Sequence, residues 1–220
     1  MTSRVAKAEL ESALGRRFSL LARAPAEALS TGIPEVDAAI GGLPRGALTE
    51  ICGPASSGRS SLLVAVLAAA TARGEVCALV DASDALDPAS AAGSGVDLDR
   101  LLWIRCGGSV EKALQATDWL VTGGGFGAVA FDLGDIPPRT ARRISLTSWF
   151  RLRRAVENTP TMLVVVSQEP QAKSCASLVM ETHQESFVWS GLFLRGAVHR
   201  VAVRKPARSV SARFEVRAVA

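Results

Sequence analysis

An α/β fold, with a mainly parallel sheet flanked by helices and antiparallel strands at its C-terminal end, is what this 220-residue sequence predicts. Three observations carry that prediction. Short apolar runs alternate with helical segments from about residue 48 to residue 167, the pattern of parallel strands with crossover helices. A glycine-bounded loop joins the first of these runs directly to a helix. From Phe187 onward the pattern changes to apolar–polar alternation, the period of half-buried strands.

The elements follow in order. Residues 5 to about 23 read as a helix with Leu10, Leu14, Phe18 and Leu21 at helical spacing. Residues 1–28 are therefore expected to be an N-terminal arm, either packing on a neighbouring subunit or partner or lying over its own domain. Residues 29–220 are expected to form the core domain. Leu48, Ile51 and Cys52 mark a buried strand, and residues 60–73 a helix ending near Gly74. VCALVD (76–81) is a strand, DPASAAGSG (87–95) a short helix with a glycine stop, and LLWIRC (101–106) a strand. A helix runs from Ser109 to about Thr122, and AVAFD (128–132) is a buried strand ending on a carboxylate. Residues 139–156 are expected to be one long helix, and TMLVVVS (161–167) a central strand. In the closing segment Gly191 and Gly196 fall at turns or bulges.

Composition narrows the class. With 48% apolar residues and a formal charge of +4, the chain can fill a core and carries a mild basic excess. That excess is compatible with nucleic acid or an acidic protein partner. No apolar run approaches the roughly 20 residues of a membrane span, and MTSRVAKAELESALGRR lacks the apolar centre of a signal peptide. A cytoplasmic protein with no membrane association is expected. The four cysteines have no C-x-x-C pairing and read as buried, reduced thiols. Trp103, Trp119 and Trp189 fall within expected elements and read as core.

Residues 48–64, LTEICGPASSGRSSLLV, carry the chemical signal. The loop keeps the spacing G-x-x-x-x-G-[K]-[ST], with Gly53, Gly58 and Ser60 in place and Arg59 where lysine belongs. Such a loop turns backbone N–H groups inward, and the helix N-terminus that follows adds partial positive charge. A hydroxyl at Ser60 is placed to ligate nucleotide-borne magnesium. Gly53, Ser57, Gly58, Arg59, Ser60 and Ser61 are the candidate nucleotide contacts. A plain strand-to-helix turn is the alternative, since Gly and Ser are common in loops.

The segments LSTGIPEVDAAIGGLPRGALTEICGPASSGRSSL, VDASDALDP and GVDLDRLLW resemble, in order and spacing, the core ATPase domain of RecA-type recombinases. The resemblance runs from about Leu29 to the C-terminus and is strongest before Asp132. It implies a RecA-like phosphate-loop core, with Ser60 and Asp132 as the magnesium site and Gln168 as the residue linking nucleotide state to the DNA loop. Two positions depart. Arg59 keeps the charge of the usual lysine but brings a bulkier, planar fork. Ser83 stands where the family has the glutamate that activates the attacking water. Loss of such a base costs about 10²–10⁴ in rate, and neighbouring Asp84 points another way along a strand end. ATP or ADP with magnesium is compatible with the loop but not required, and efficient hydrolysis is not expected.

In the family, the loops after the Asp132 and Gln168 positions contact single-stranded DNA. Here DLGDIPPRT is short and stiffened by Pro137 and Pro138, and QEPQAKSCASL has one lysine and no aromatic, a poor stacking platform. The family's C-terminal DNA-capturing domain is expected to be absent. Two basic clusters are the candidate partner or DNA surfaces. One comprises Arg139, Arg142, Arg143, Arg151, Arg153 and Arg154 on the long helix, with Trp149 and Phe150 between. The other comprises Arg195, Arg200, Arg204, Lys205, Arg208, Arg213 and Arg217. A solvated face is the plain alternative for both.

Within the RecA-like group the chain most resembles the ImuA family of damage-induced mutagenesis factors. That resemblance implies a non-catalytic adaptor in the bacterial SOS response. It would bind RecA and an inactive Y-family polymerase homologue (ImuB-like), and through the latter a replicative-type polymerase, with weak or indirect DNA binding. The expected outcome is support of error-prone translesion synthesis and limitation of the RecA filament. The alternatives are a divergent DNA-dependent ATPase or recombinase, and a simple basic DNA-binding module.

Overall fold

The computed structural model describes residues 28–206 and 210–217. The N-terminal arm, apart from Ala28, and Arg208 lie outside the described residues. The elements are β1 (Ala28–Leu29), α1 (Pro34–Ile40), β2 (Leu43–Pro44), β3 (Leu48–Cys52), α2 (Arg59–Ala72), β4 (Cys77–Asp81) and α3 (Pro88–Gly93). They continue with β5 (Leu101–Arg105), α4 (Val110–Gly123), β6 (Ala128–Asp132), α5 (Pro138–Ala141), α6 (Leu146–Val156) and β7 (Met162–Ser167). The chain closes with β8 (Leu178–Ser190), β9 (Phe193–Lys205) and β10 (Ser211–Arg217).

An eight-stranded sheet runs in the order β10-β9-β8-β3-β7-β6-β4-β5, and β1 pairs with β2 separately. The pairings β8/β3, β3/β7, β7/β6, β6/β4 and β4/β5 are parallel, while β8/β9 and β9/β10 are antiparallel. Continuous apolar runs such as MLVVVS form the centre because strands covered on both faces have no polar side to show water. Successive side chains point to opposite faces. Val129, Phe131, Leu163 and Val165 accordingly pack with Trp149 and Leu152 of α6 and Ala113 of α4. Ala128, Ala130, Val164 and Val166 pack with Leu62, Val66 and Leu67 of α2 on the other side. All parallel strands thus deliver their C-terminal ends to one edge, where the phosphate loop lies.

Local caps fix the helix starts. Asp87, Ser109 and Ser145 each accept a backbone N–H three residues ahead, from Ser90, Lys112 and Ser148. Such a cap stabilises a helix start by about 1 kcal/mol. The Ser145 cap corrects the expected long helix over 139–156. The chain turns at Arg142–Ser145, with Ile144 buried in the core, and α5 and α6 are separate helices. Arg142 and Arg143 therefore do not share a helix face with Arg151, Arg153 and Arg154.

Trp149 is also corrected. It is buried against Phe131, with ring centroids 6.1 Å apart, and belongs to the core rather than to a partner surface. The reverse holds for Trp119 and Trp189, which are exposed. Trp103 is half-buried, and its Nε1–H donates to Asp81 (3.2 Å). The four cysteines are free and buried. Burial pushes the Cys52 thiol up to about 12 and Cys77 up to about 11, which removes them as nucleophiles at neutral pH. Among the described residues no helix is long and apolar enough to cross a membrane.

Candidate functional site

The phosphate loop leaves β3 at Cys52 and enters α2 at Arg59. Two glycines are required by contact. A Cβ on Gly53 would lie 2.5 Å from Ser57 Oγ and from two oxygens of Thr182, and one on Gly58 (φ 90°) would lie 2.7 Å from the His199 ring. The buried Ser57 hydroxyl shares a hydrogen bond with Thr182 Oγ1 (2.7 Å), which in turn donates to the Cys52 carbonyl (3.2 Å). His199, on β9, packs on Phe214 with centroids 5.4 Å apart, and burial lowers its pKa. Ser57 is thus spent on the fold. Sequence reading missed Thr182 and His199 because they reach the loop from β8 and β9, more than 120 residues away.

Arg59 decides the character of the site. Its guanidinium is buried and turned inward. Nη1 donates to the Gly53 carbonyl (2.7 Å), and Nη2 donates to the Gly134 carbonyl (2.8 Å) and to Asp135 Oδ1 (3.1 Å). The planar fork spans from the start of the phosphate loop to the turn after β6, a reach that one ammonium cannot duplicate. Gln168 reinforces the same turn, its Nε2 donating to the carbonyls of Gly134 (3.1 Å) and Ile136 (3.2 Å).

Asp132, at the end of β6, accepts the Gly134 N–H (2.8 Å). Burial, with the neighbouring Asp81 and Asp135 charges, pushes its carboxyl up to about 6. The folded protein holds this proton more tightly than the unfolded chain. The associated stability is therefore present below the ordinary value of 3.8 and is lost as pH rises towards 6. Asp132→Asn is expected to remove that slope and to raise stability at pH 7 by about 1–2 kcal/mol. Urea midpoints of both proteins at pH 4 and pH 7 measure the difference; equal slopes would contradict it.

Ser83 stands at the end of β4 with its Oγ buried and without a hydrogen-bond partner. Asp84 does not replace the missing base. It adopts φ 58°, and its carboxylate accepts the Gly107 N–H (3.2 Å) and meets Arg105 (3.4 Å). Asp81 is equally committed, accepting the N–H groups of Ser83 (3.2 Å) and Leu86 (2.9 Å). Ser60 is exposed and Ser61 half-buried at the start of α2. Both face a cavity of about 330 Å³ that also touches Asp135 and Phe187. A nucleotide triphosphate with magnesium does not fit this arrangement as it stands. The cation that should meet the phosphates is consumed by Gly53, Gly134 and Asp135, and among the described residues Ser83, Asp84 and Asp81 offer no free carboxylate where water would be activated.

The arginine clusters are largely occupied with the protein itself. Arg142 pairs with Glu169, Arg151 with Asp118 (2.8 Å) and Arg204 with Glu181. Arg143, Phe150 and Arg154 are exposed, and Arg153 is half-buried. Lys205 Nζ donates to the carbonyls of Ser174 (3.0 Å) and Ala176. Glu50, which sequence reading passed over, is fully buried on β3 and accepts the N–H groups of Gln171 (2.7 Å) and Ala172 (2.9 Å). The loop after β7 is thereby pinned from both sides.

A parallel core strand leading through a glycine-bounded loop into a helix, with an acidic strand end beside it, defines a phosphate-loop protein of RecA-type fold. The family match agrees: the RecA N-terminal domain covers residues 8–139, and the chain belongs to the RecA family. RecA of Rhizobium rhizogenes (strain K84 / ATCC BAA-868) is 36% identical over 158 residues, covering 64% of this chain and 44% of that protein. RecA of Allorhizobium ampelinum (strain ATCC BAA-846 / DSM 112012 / S4) is 37% identical over 158 residues, 64% of this chain and 43% of the relative. The chain thus spans less than half the length of these relatives. The crystal structure of the RadB recombinase superposes with a TM-score of 0.66 at 16% identity, covering 86% of this chain and 96% of that one.

Proposed function

We propose that this chain is a non-catalytic RecA-family accessory protein of the ImuA type, acting in the bacterial DNA-damage response. In this reading it binds RecA and an inactive Y-family polymerase homologue, supports error-prone translesion synthesis and limits RecA filament activity. The observation that carries the reading is the inward Arg59, whose guanidinium closes the phosphate loop on Gly53 and Gly134. Ser83 in place of a general base supports it. A loop held by its own side chain has a structural role and leaves the molecule to work by binding. The core docks on a RecA protomer through the surface that filament neighbours use, and other surfaces hold the polymerase homologue.

Two measurements test this reading. The purified protein is expected to release no phosphate from ATP with or without single-stranded DNA. Ser83→Glu alone is expected to stay at background, because Arg59 still closes the loop. Turnover near the ordinary enzymatic range of about 1 s⁻¹ or more would favour the ATPase alternative. A pull-down of purified RecA, with and without nucleotide, is expected to succeed equally in both conditions.

A further inference from the structure

The tip of the β8–β9 hairpin, residues 187–194, reads FVWSGLFL and contains no charged residue. Five of its side chains are large, apolar and open to solvent: Phe187 at 51%, Trp189 at 58%, Leu192 at 93%, Phe193 at 71% and Leu194 at 45% exposure. None belongs to either core. They are not scattered. Trp189 lies opposite Leu194 in register and meets Phe187 edge-on at 6.3 Å between centroids. These three form one apolar wall, and Phe187 at its base borders the cavity over the phosphate loop. A concentration of this kind on one projecting element is a recurrent mark of a protein-binding site.

The surroundings specify the partner's charge. Among the described residues of β8–β10, six cations (Arg195, Arg200, Arg204, Lys205, Arg213, Arg217) face three carboxylates (Glu181, Glu185, Glu215). Glu185 is shared by Arg200 and Arg213, while Glu181 and Glu215 meet Arg204 and Arg217. Arg195, next to the tip, has no carboxylate partner among the described residues; its guanidinium lies 6.0 Å over the Phe193 ring. The cation that borders the apolar tip without a carboxylate partner among the described residues is therefore Arg195.

We propose that the hairpin tip is a docking surface for a protein segment with apolar anchors flanked by carboxylates. Leucines at the tip and the uncharged stretch from 187 to 194 argue against a nucleic acid track, which needs cations along the backbone path. A two-fold pairing of two copies would set each cationic border against its own like. The inference rests on the accessory-protein reading in expecting a protein partner, and aromatic anchors beside arginine are the composition of interface hot spots.

The test uses the full chain, wild type against Trp189→Ser/Phe193→Ser and Arg195→Glu, with purified RecA and purified polymerase homologue as probes. Because these side chains are exposed, the thermal midpoints should stay together. The double variant is expected to lose about tenfold or more in affinity for one of the two proteins, with a smaller loss for Arg195→Glu at the same partner. Undiminished binding by the double variant overturns the docking surface and leaves the accessory reading standing. Wild-type protein that binds neither probe overturns the accessory reading and this inference with it. Two further results would also overturn the protein partner. One is loss in the variant of oligo(dT) or anionic-vesicle binding alone. The other is sedimentation of wild type, but not variant, as a dimer.

Discussion

Arg59→Ala is expected to destabilise the protein by about 2–4 kcal/mol, because it orphans the buried Gly53 carbonyl, leaves Gly134 with Gln168 as its one side-chain donor, and empties the space of a buried side chain. The Gly53 and Gly134 carbonyls accept from its two Nη atoms at 2.7 and 2.8 Å, and both glycines are buried. Arg59→Lys, which restores the usual phosphate-loop residue, is the more informative change. A single ammonium can satisfy one carbonyl or the other, so roughly half of the alanine deficit should remain. If the loop's role is structural, the lysine variant is less stable than wild type in urea and gains no phosphate release. A lysine variant as stable as wild type that hydrolyses ATP would show that Arg59 is a tolerated catalytic substitution, and the adaptor reading would fall.

The same residue shows where sequence legibility ends. The alternation of apolar runs and helical segments placed β4, β6 and β7 within a residue or so, since buried parallel strands have few other ways to be written, and it placed β5 equally well although that strand is a half-exposed edge. The loop spacing placed Gly53, Gly58 and Ser60. The direction of Arg59 was not legible, because it depends on a carbonyl 75 positions away. Nor was the break at Ser145. A run of arginines interleaved with apolar residues fits one long amphipathic helix as well as two short ones, and only the Ser145 cap and the burial of Ile144 decide between them. Trp149 was misplaced for the same reason: its arginine neighbours suggested a surface, yet α6 turns it inward to Phe131. Glu50 did leave a signal. A carboxylate inside the otherwise uncharged run LTEIC has to be paired or expelled, and its position on a strand buried at every residue announces a partner.

Glu50→Ala is the second large effect expected, at about 2–4 kcal/mol, because the backbone N–H groups of Gln171 and Ala172 would be left buried and unpaired. The consequence reaches beyond stability. These amides lie in the loop after β7, the position that the recombinase resemblance assigns to DNA contact, and Lys205 holds the far side of that loop through Ser174 and Ala176. Removing Glu50 should free the loop, seen as faster hydrogen exchange at Gln171 and Ala172. Glu50→Gln separates geometry from charge. It keeps an acceptor for both amides and carries no charge to desolvate, so its stability should stay within about 1 kcal/mol of wild type. Burial raises the Glu50 carboxyl above its ordinary 4.5. Wild type therefore loses stability from this group as pH climbs past that value, and the glutamine variant does not. An alanine variant with native stability and protected loop amides would show that the loop is held by other contacts.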